Sequence, residues 1–376
     1  MVDSPVDGTR EQRATRASST AAQREALDYT ERWARERRAA DRELIADVLR
    51  MSNLQIRDYD HTITALRQHA RVALHFHPDR PDSRGRLVVE GLLDDGVYRS
   101  QFETGISSGS VTAVPGGLRD RWEEALFGGA YAGAHTAPAE RPRYGALDVL
   151  RTADGPSPRF GSCFLLLSPS MTHESTLTYL DSSHLPDRRG TTTQPDAVLA
   201  GLLEECFERD HALGWHGVRP DGLLRRIRHD LPIPIAQTVL RAPSRNLNHY
   251  IEAQVHAEVW LGEDVDAVVA DRAFRETQIG YALRKLAERY QFDLHWHPGS
   301  RLAVARVPDD FRGPTMPSLA RRVAIGGWLD AVAIGDAVRS LHESPASWAD
   351  RGEPAAVLQE LKLLWHCVVR FGDARR

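Results

Sequence analysis

Hydrophobic residues recur at helical spacing through the N-terminal part of the chain, and short apolar runs with strand periodicity dominate its middle. Thr20 and Gln23 have the spacing of a capping box, which begins a helix whose apolar stripe extends to Leu49. A second helix is predicted over residues 59–69 and leads into a strand over 72–74. Pro78 ends that strand because proline cannot donate to the hydrogen-bond ladder.

The central part of the chain alternates between predicted strands and helices. Strands are expected over residues 87–89, in the apolar run PRFGSCFLLL and over 176–179, with a short helix over 121–127 between them. From Pro195 the pattern becomes helical, and a further helix is expected near residues 223–227, so residues 181–230 are predicted to be a helical insertion. Strand character returns over 235–240.

The clearest strand pattern is in the segment YIEAQVHAEVWL. Ile251, Ala253 and Val255 alternate with Glu252 and Gln254, so one face is apolar and the other polar. An amphipathic helix near 279–290, the segments DLHWHPG and RLAVARV and a helical C-terminal stretch follow. We expect an α+β fold with a tail at 1–18, helices over 19–70, a core over 71–315 and a C-terminal helical region over 316–376.

Composition limits the classes of function. The 376 residues are 41% hydrophobic and 27% charged, as in ordinary soluble proteins, and the net charge of −4 argues against a nucleic-acid partner. The three cysteines are widely separated, without disulfide or zinc spacing. The chain has no apolar run long enough to predict a membrane span, and its N-terminus does not show the pattern of a secretory signal peptide. We expect a soluble protein that is cytoplasmic or exported by a signal-independent route.

Candidate metal chemistry lies in the motif HFHPD. His75 and His77 are two residues apart on a strand and would point the same way, and Asp79 could add an oxygen ligand. His295 and His297 repeat the spacing. These five residues define one hypothesis, a metal-dependent hydrolase.

Three other motifs carry polar side chains. Glu252 lies on the polar face of its strand, which faces either solvent or a cleft. The glycine-rich segments 102–110 and 116–119 could hold phosphate through hydroxyl groups and Arg119, or form a structural loop. Glu140 lies in ERPRYGALD, where it could form an ion pair with an arginine.

Taken in order, HFHPDR, YRSQFETGISSGS, GGLRDRWE, LFGGAY, ERPRYGALD, PRFGSCFL and YIEAQVH resemble a bacterial family first catalogued as a domain of unknown function. CteC-like ADP-ribosyltransferases belong to that family. The resemblance implies a split β-sheet core related to poly(ADP-ribose) polymerases, an Asp-Glu catalytic pair and NAD as substrate, with no metal. It further implies that the acceptor is a threonine of ubiquitin.

Carried over to this chain, the resemblance assigns Asp79 and Glu252 as the catalytic pair, with Glu103 and Glu140 as alternatives to Asp79. Glu252 would hold the ribose and stabilise the cationic transition state. Asp79 would orient the ribose or accept the acceptor's proton. NAD would be bound by residues of the same motifs, namely His75, His77, Arg80, Gln101, Phe102, Thr104, Gly105, Ser107, Ser108, Arg119, Tyr144 and Gln254.

Acceptor recognition is expected in the insertion 181–230 or in the terminal helices. Beside the transferase, two alternatives remain open from the sequence. One is the metal-dependent hydrolase, and the other is a catalytically inactive fold retained as a partner-binding module.

Overall fold

The computed structural model describes residues 19–82, 84–106, 113–133 and 136–375, and the predicted tail at 1–18 lies outside them. The fold is α+β, as expected. The strands are Val72–Phe76 (β1), Val97–Tyr98 (β2), Arg143–Leu147 (β3), Cys163–Leu167 (β4), Ser175–Tyr179 (β5), Arg189–Thr191 (β6), His211–Ala212 (β7), Trp215–His216 (β8), Ile251–Val255 (β9), Val259–Trp260 (β10), Val265–Asp271 (β11), Asp293–His297 (β12), Ser300–Ala303 (β13), Trp328–Leu329 (β14) and Asp373–Ala374 (β15).

The α-helices surround this set of strands. They are Ala21–Met51 (α1), Ile56–His69 (α2), Val88–Asp95 (α3), Gln101–Thr104 (α4), Leu118–Leu126 (α5), Pro169–His173 (α6), Asp196–Arg209 (α7), Pro220–Asp230 (α8), Ile235–Thr238 (α9), Leu261–Asp264 (α10), Gln278–Tyr290 (α11), Met316–Val323 (α12), Ala331–Glu343 (α13) and Pro354–Phe371 (α14). Among the described helices, none is both long enough and apolar enough to cross a membrane.

Eight strands form the main sheet in the order β12-β11-β4-β1-β3-β9-β5-β6. All neighbouring strands are antiparallel except β11 and β12. The two inner strands β1 and β3 are paired only at one end, where Val72 lies opposite Leu147 and Ala73 opposite Ala146. The remainder of each strand pairs only with its outer neighbour, so the sheet divides there into two halves of four strands.

Gly145 lies where β1 and β3 begin to separate. A Cβ atom at this position would come within 2.6 Å of the Ala73 carbonyl oxygen and within 2.7 Å of the Leu74 side chain. The absence of a side chain therefore allows β1 to approach closely enough to pair at its first two residues. This contact joins the two halves of the sheet.

The N-terminal helix α1 begins as predicted. The Thr20 hydroxyl accepts a hydrogen bond from the Gln23 backbone N–H, and the Gln23 side chain accepts one from Thr20, which completes the capping box. Its buried face packs against α7 and β6. Asp196, at the start of α7, accepts hydrogen bonds from Arg42 of α1 and Tyr59 of α2, and so connects the three helices.

The C-terminal helices α13 and α14 pack together against the half of the sheet that contains β1. The Trp365 indole N–H of α14 donates to the Pro158 carbonyl at 2.8 Å, and the Trp365 ring contacts His77 edge-on at 5.2 Å. Gly335 of α13 lies against Asp79, because a Cβ at residue 335 would overlap the Asp79 carboxylate. The C-terminal region, predicted to be helical, contains α12, α13 and α14 together with the short strands β14 and β15, and α13 packs against Asp79.

Two predicted strands are helices in the structure. Residues 87–89 begin α3, because the Glu90 carboxylate accepts the Leu87 backbone N–H at 2.9 Å and caps the first turn. Residues 235–240 contain α9, a single turn that follows Pro234 and in which the Thr238 hydroxyl bonds to the Ile235 carbonyl. At residues 87–89 this cap overrides the β-propensity of the branched side chains, whereas α9 forms its single turn without a side-chain cap.

Two further predictions are correct in part. The insertion 181–230 contains the expected helices α7 and α8, but it also includes β6 at the sheet edge and the β7-β8 hairpin. The strand predicted through YIEAQVHAEVWL ends at Val255, and Val259–Trp260 forms a separate strand with β2.

Candidate functional site

A cavity of about 250 Å³ opens where β1 and β3 separate. His75 and His77 line it from the β1 side, and Tyr144 and Gly145 line it from β3. Helices α3 and α4 and the segments 157–160 and 181–183 complete its walls. The fork in the sheet therefore forms a cleft in which side chains from both halves of the sheet meet.

Glu252 lies at the base of this cleft on β9, on the polar face that the sequence predicts. It is 6% exposed, and it is opposite Ala146 of β3 and Thr178 of β5. One carboxylate oxygen accepts a hydrogen bond from the Gln254 amide at 2.9 Å, and the other accepts one from the Ser182 backbone N–H at 3.3 Å. The carboxylate is thus held by two donors.

A second carboxylate, that of Asp181, lies beside Glu252 in the cavity wall. Burial, followed by the Asp181 charge, raises the pKa of Glu252 to about 7 despite its hydrogen bonds. Although burial works to raise it, hydrogen bonds from Ser183 and Tyr250 hold the pKa of Asp181 below its ordinary value. Two neighbouring carboxyl groups with separated pKa values are the usual arrangement of an acid-base pair.

A chain of buried hydrogen bonds runs behind Glu252. The Tyr131 hydroxyl donates to His256 Nδ1 at 2.7 Å, His256 Nε2 contacts the Thr176 hydroxyl at 2.9 Å, and that hydroxyl donates to the Gln254 side-chain oxygen at 2.7 Å. Burial lowers the pKa of His256 to about 3, so the imidazole is neutral. With Nε2 protonated, every donor in the chain points toward Glu252, which orients its carboxylate.

The cleft is rich in arginine, and two of these side chains lack a carboxylate partner among the described residues. Arg119 stacks on Tyr144, with the guanidinium carbon 4.8 Å from the ring centre, and Arg159 stacks on Phe160 at 4.5 Å. Arg159 also donates to Leu247 and Asn248. Guanidinium groups held in this way can bind phosphate oxygens.

The other arginines of the cleft are paired with acids. Arg86 and Arg99 both bind Asp95, and Arg80 lies 3.5 Å from Asp79. Arg143 is fully buried and donates to the Tyr98 and Arg141 carbonyl oxygens.

Most of the residues assigned from the sequence lie together in this cavity. Its lining includes the following members of that set: Glu252, His75, His77, Arg80, Gln101, Thr104, Arg119 and Tyr144. Three others are near it without lining it. Phe102 stacks on Arg141, Gly105 ends α4 in a left-handed conformation, and Gln254 lies behind Glu252. Ser107 and Ser108 lie outside the described residues.

The structure does not bring Asp79 to the cavity. Its side chain is 1% exposed and faces α13, where it contacts Gly335. The alternative acids have capping roles: Glu103 accepts the Ser100 backbone N–H at 2.7 Å, and Glu140 accepts the Ala137 backbone N–H at 2.8 Å. Asp181 lines the cavity with Glu252, and its charge contributes to the raised pKa of Glu252.

The five residues of the metal hypothesis do not form a ligand cluster in the described part of the chain. Both ring nitrogens of His75 are engaged, with the Gly161 carbonyl and the Ser157 N–H. His297 is likewise held between the Ser162 carbonyl and the Gly299 N–H. The geometry of this region therefore does not favour a metal-dependent hydrolase.

The sequence patterns did not identify three residues of the cleft, namely Asp181, Ser182 and Arg159. Asp181 and Ser182 directly follow β5, and side chains at strand ends are a common source of functional groups. Their position just after a predicted strand was the available signal. Arg159 had no comparable signal, because its place in the cleft depends on how the segment 157–160 folds over β1.

The fold and the cleft define an α+β protein with a divided sheet and a carboxylate pair at the point of division. Residues 71–371 match the model of a family described as a protein of unknown function, DUF3626, and the chain belongs to that family. The matched region includes the whole main sheet, the cavity and α14, whereas α1 and α2 lie outside it. No curated protein matches the chain significantly.

Proposed function

We propose that this protein is an NAD-dependent mono-ADP-ribosyltransferase that modifies a protein hydroxyl group, with a threonine of ubiquitin as the favoured acceptor. The observation that carries the proposal is Glu252, a buried carboxylate at the base of a cleft where the sheet divides. Supporting it are the motifs that resemble CteC-like transferases and the convergence of eight of the assigned residues on one cavity.

The chemistry of the two carboxylates fits this reaction. Breaking the bond between nicotinamide and ribose builds positive charge on the sugar, as in glycoside hydrolysis. Asp181 has a lowered pKa and stays ionised near neutral pH, so its charge favours that transition state. Glu252 accepts hydrogen bonds from Gln254 and Ser182 on the protein side, and it would bind a ribose hydroxyl on the cavity side.

Activation of the acceptor requires a general base. A threonine hydroxyl is a poor nucleophile, and a base whose pKa lies near the operating pH is the most efficient at removing its proton. The pKa of Glu252, about 7, meets this condition. Such a base contributes a factor of roughly 10²–10⁴ to the rate.

The diphosphate of NAD would bind to Arg119 and Arg159. Both line the cavity and lack a carboxylate partner among the described residues, so their charge is available to an anion. His75 and His77 would form the wall of the pocket. Burial lowers the pKa of His75 to about 3, so it contributes a neutral ring.

Ubiquitin as acceptor rests on the resemblance alone. The insertion 181–230 contributes Asp181 and Ser182 to the cleft and packs against α1. Because α1 and α2 lie outside the family match, their roles are expected to be particular to this protein, and both helices pack against the insertion. Deleting residues 1–51 would test whether α1 recruits the acceptor.

The proposal is tested by incubating the full-length protein with NAD and ubiquitin and measuring the intact mass of ubiquitin. A gain of one ADP-ribosyl unit, absent with Glu252→Gln, is the expected result. Consumption of NAD without modification of ubiquitin would support an enzyme that uses NAD, but its acceptor would be a molecule other than ubiquitin. If NAD stays intact under all conditions, the transferase is refuted and a binding module is favoured.

A further inference from the structure

We propose that Glu205, His211 and His249 form a binding site for a divalent metal ion, of which Zn²⁺ is the best match. We call these three residues the Glu205 cluster. It is the one group of three or more His, Cys, Asp or Glu in the described part of the chain whose ligand atoms lie within 4.8 Å of one another. It shares no residue with the metal hypothesis of the sequence.

The distances within the cluster suit a tetrahedral ion. His211 Nδ1 lies 2.9 Å from Glu205 Oε1, and His249 Nδ1 lies 3.1 Å from the same oxygen. Ligands at about 2.0–2.1 Å from Zn²⁺ in tetrahedral geometry are separated by roughly 3.3 Å. Small side-chain rotations would therefore open the space for an ion. Two imidazoles and one carboxylate form the donor set of zinc sites that keep a fourth position for water.

The hydrogen bonding of the metal-free cluster is incomplete. His249 Nδ1 is buried and makes no hydrogen bond with aligned geometry, although the Glu205 oxygen is 3.1 Å away. Two ring nitrogens thus lie close to a single carboxylate oxygen, and of the two only His211 forms a hydrogen bond with it. An ion between the three atoms would give each of them a partner.

The surrounding residues hold the ligands in place. The Tyr179 hydroxyl donates to the other oxygen of Glu205. The His249 backbone N–H donates to the Asn246 side chain at 3.0 Å, and His211 is paired with His216 in the β7-β8 hairpin. Hydrogen bonds of this kind to a ligating carboxylate are typical of metal sites, where they orient the ligand.

The position of the cluster indicates a structural role. Glu205 is in α7, His211 is in β7, and His249 precedes β9, the strand that carries Glu252. A bound ion would connect the insertion 181–230 to the segment that leads into β9. ADP-ribosyl transfer needs no metal for its chemistry, and no residue of the Glu205 cluster lines the Glu252 cavity, so we assign the ion to stability, with its fourth position open to water.

The experiment is a metal titration of the full-length protein after treatment with a chelator and dialysis. We expect one equivalent of Zn²⁺ to bind by calorimetry, and one equivalent of Co²⁺ to give the visible absorption of a tetrahedral site. Zn²⁺ should also raise the unfolding temperature. His249→Ala and Glu205→Gln should weaken Zn²⁺ binding at least about tenfold, whereas His61→Ala, an exposed histidine on α2, should not.

Unfolding of each metal-free variant by circular dichroism separates lost folding from lost ligation. A folded His249→Ala protein without stoichiometric Zn²⁺ supports the site. The proposal is overturned if the wild-type protein binds no Zn²⁺, or if folded His249→Ala and Glu205→Gln both bind it as the wild type does. Neither result bears on NAD consumption, which is measured separately.

Discussion

Replacing Glu252 by glutamine should reduce activity and increase stability at the same time. The carboxylate is buried, and burial together with the Asp181 charge raises its pKa from 4.5 to about 7. One pKa unit corresponds to about 1.36 kcal/mol, so ionising Glu252 in the folded protein costs roughly 3 kcal/mol. A glutamine cannot ionise and avoids that cost.

The sign of the pH dependence follows from proton binding. Between about pH 4.5 and about pH 7 the folded protein keeps the Glu252 proton and the unfolded chain loses it, so the free energy of unfolding falls as the pH rises. In the Glu252→Gln variant the free energy of unfolding does not fall for this reason, because glutamine does not ionise. Its stability gain should be below about 1 kcal/mol at pH 5 and should reach up to about 3 kcal/mol at pH 8.

Urea unfolding at pH 5 and pH 8 measures the stability change, and NAD consumption measures the activity. The rate should fall by about 10²–10⁴, the usual contribution of a general base. Glu263→Gln makes the same chemical change at an exposed position and should alter neither quantity. Equal stability changes at the two pH values, or undiminished NAD consumption, would refute the reasoning.

Three further predictions concern the other residues of the cleft. Asp181→Asn removes a charge that raises the pKa of Glu252, so the limb of the pH-rate profile that reports Glu252 should move to lower pH. Arg119→Gln should raise the dissociation constant for NAD about 10- to 100-fold in a binding titration, since a hydrogen bond to a charged group contributes roughly 1.5–3 kcal/mol. Asp79→Asn should keep NAD consumption within about tenfold of wild type, because Asp79 is buried against α13 outside the cavity. If Asp79→Asn lost as much activity as Glu252→Gln, the result would support the sequence-based assignment of Asp79 as a catalytic residue.

Local signals predicted much of the secondary structure. The capping box of Thr20 and Gln23 began α1, and the apolar stripe of residues 279–290 became α11. These predictions succeed because caps and periodicity act within a few residues of the chain. They failed at residues 87–89, where the Glu90 side chain caps a helix whose first residues favour strands.

The candidate site was predictable only in part. Strand periodicity placed Glu252 on a polar face, but it could not decide between solvent and a cleft. In the fold the segment after β5 contacts Glu252 through the Ser182 N–H, and burial of the carboxylate raises its pKa. The chemistry of the residue thus depends on contacts far away in sequence.

The sequence by itself determined the α+β class and the face on which Glu252 lies, and its motif resemblance assigned eight of the residues that line the cavity. The class and the face follow from side-chain order within single elements, whereas the eight residues follow from the order of the resembling motifs along the chain. Tertiary structure decided that β1 and β3 separate to form a cleft, that Asp79 packs against Gly335 of α13 outside that cleft, and that Ser182 reaches Glu252 across 70 residues. The reason is physical: strand pairing and burial depend on packing between distant segments, which no local pattern records.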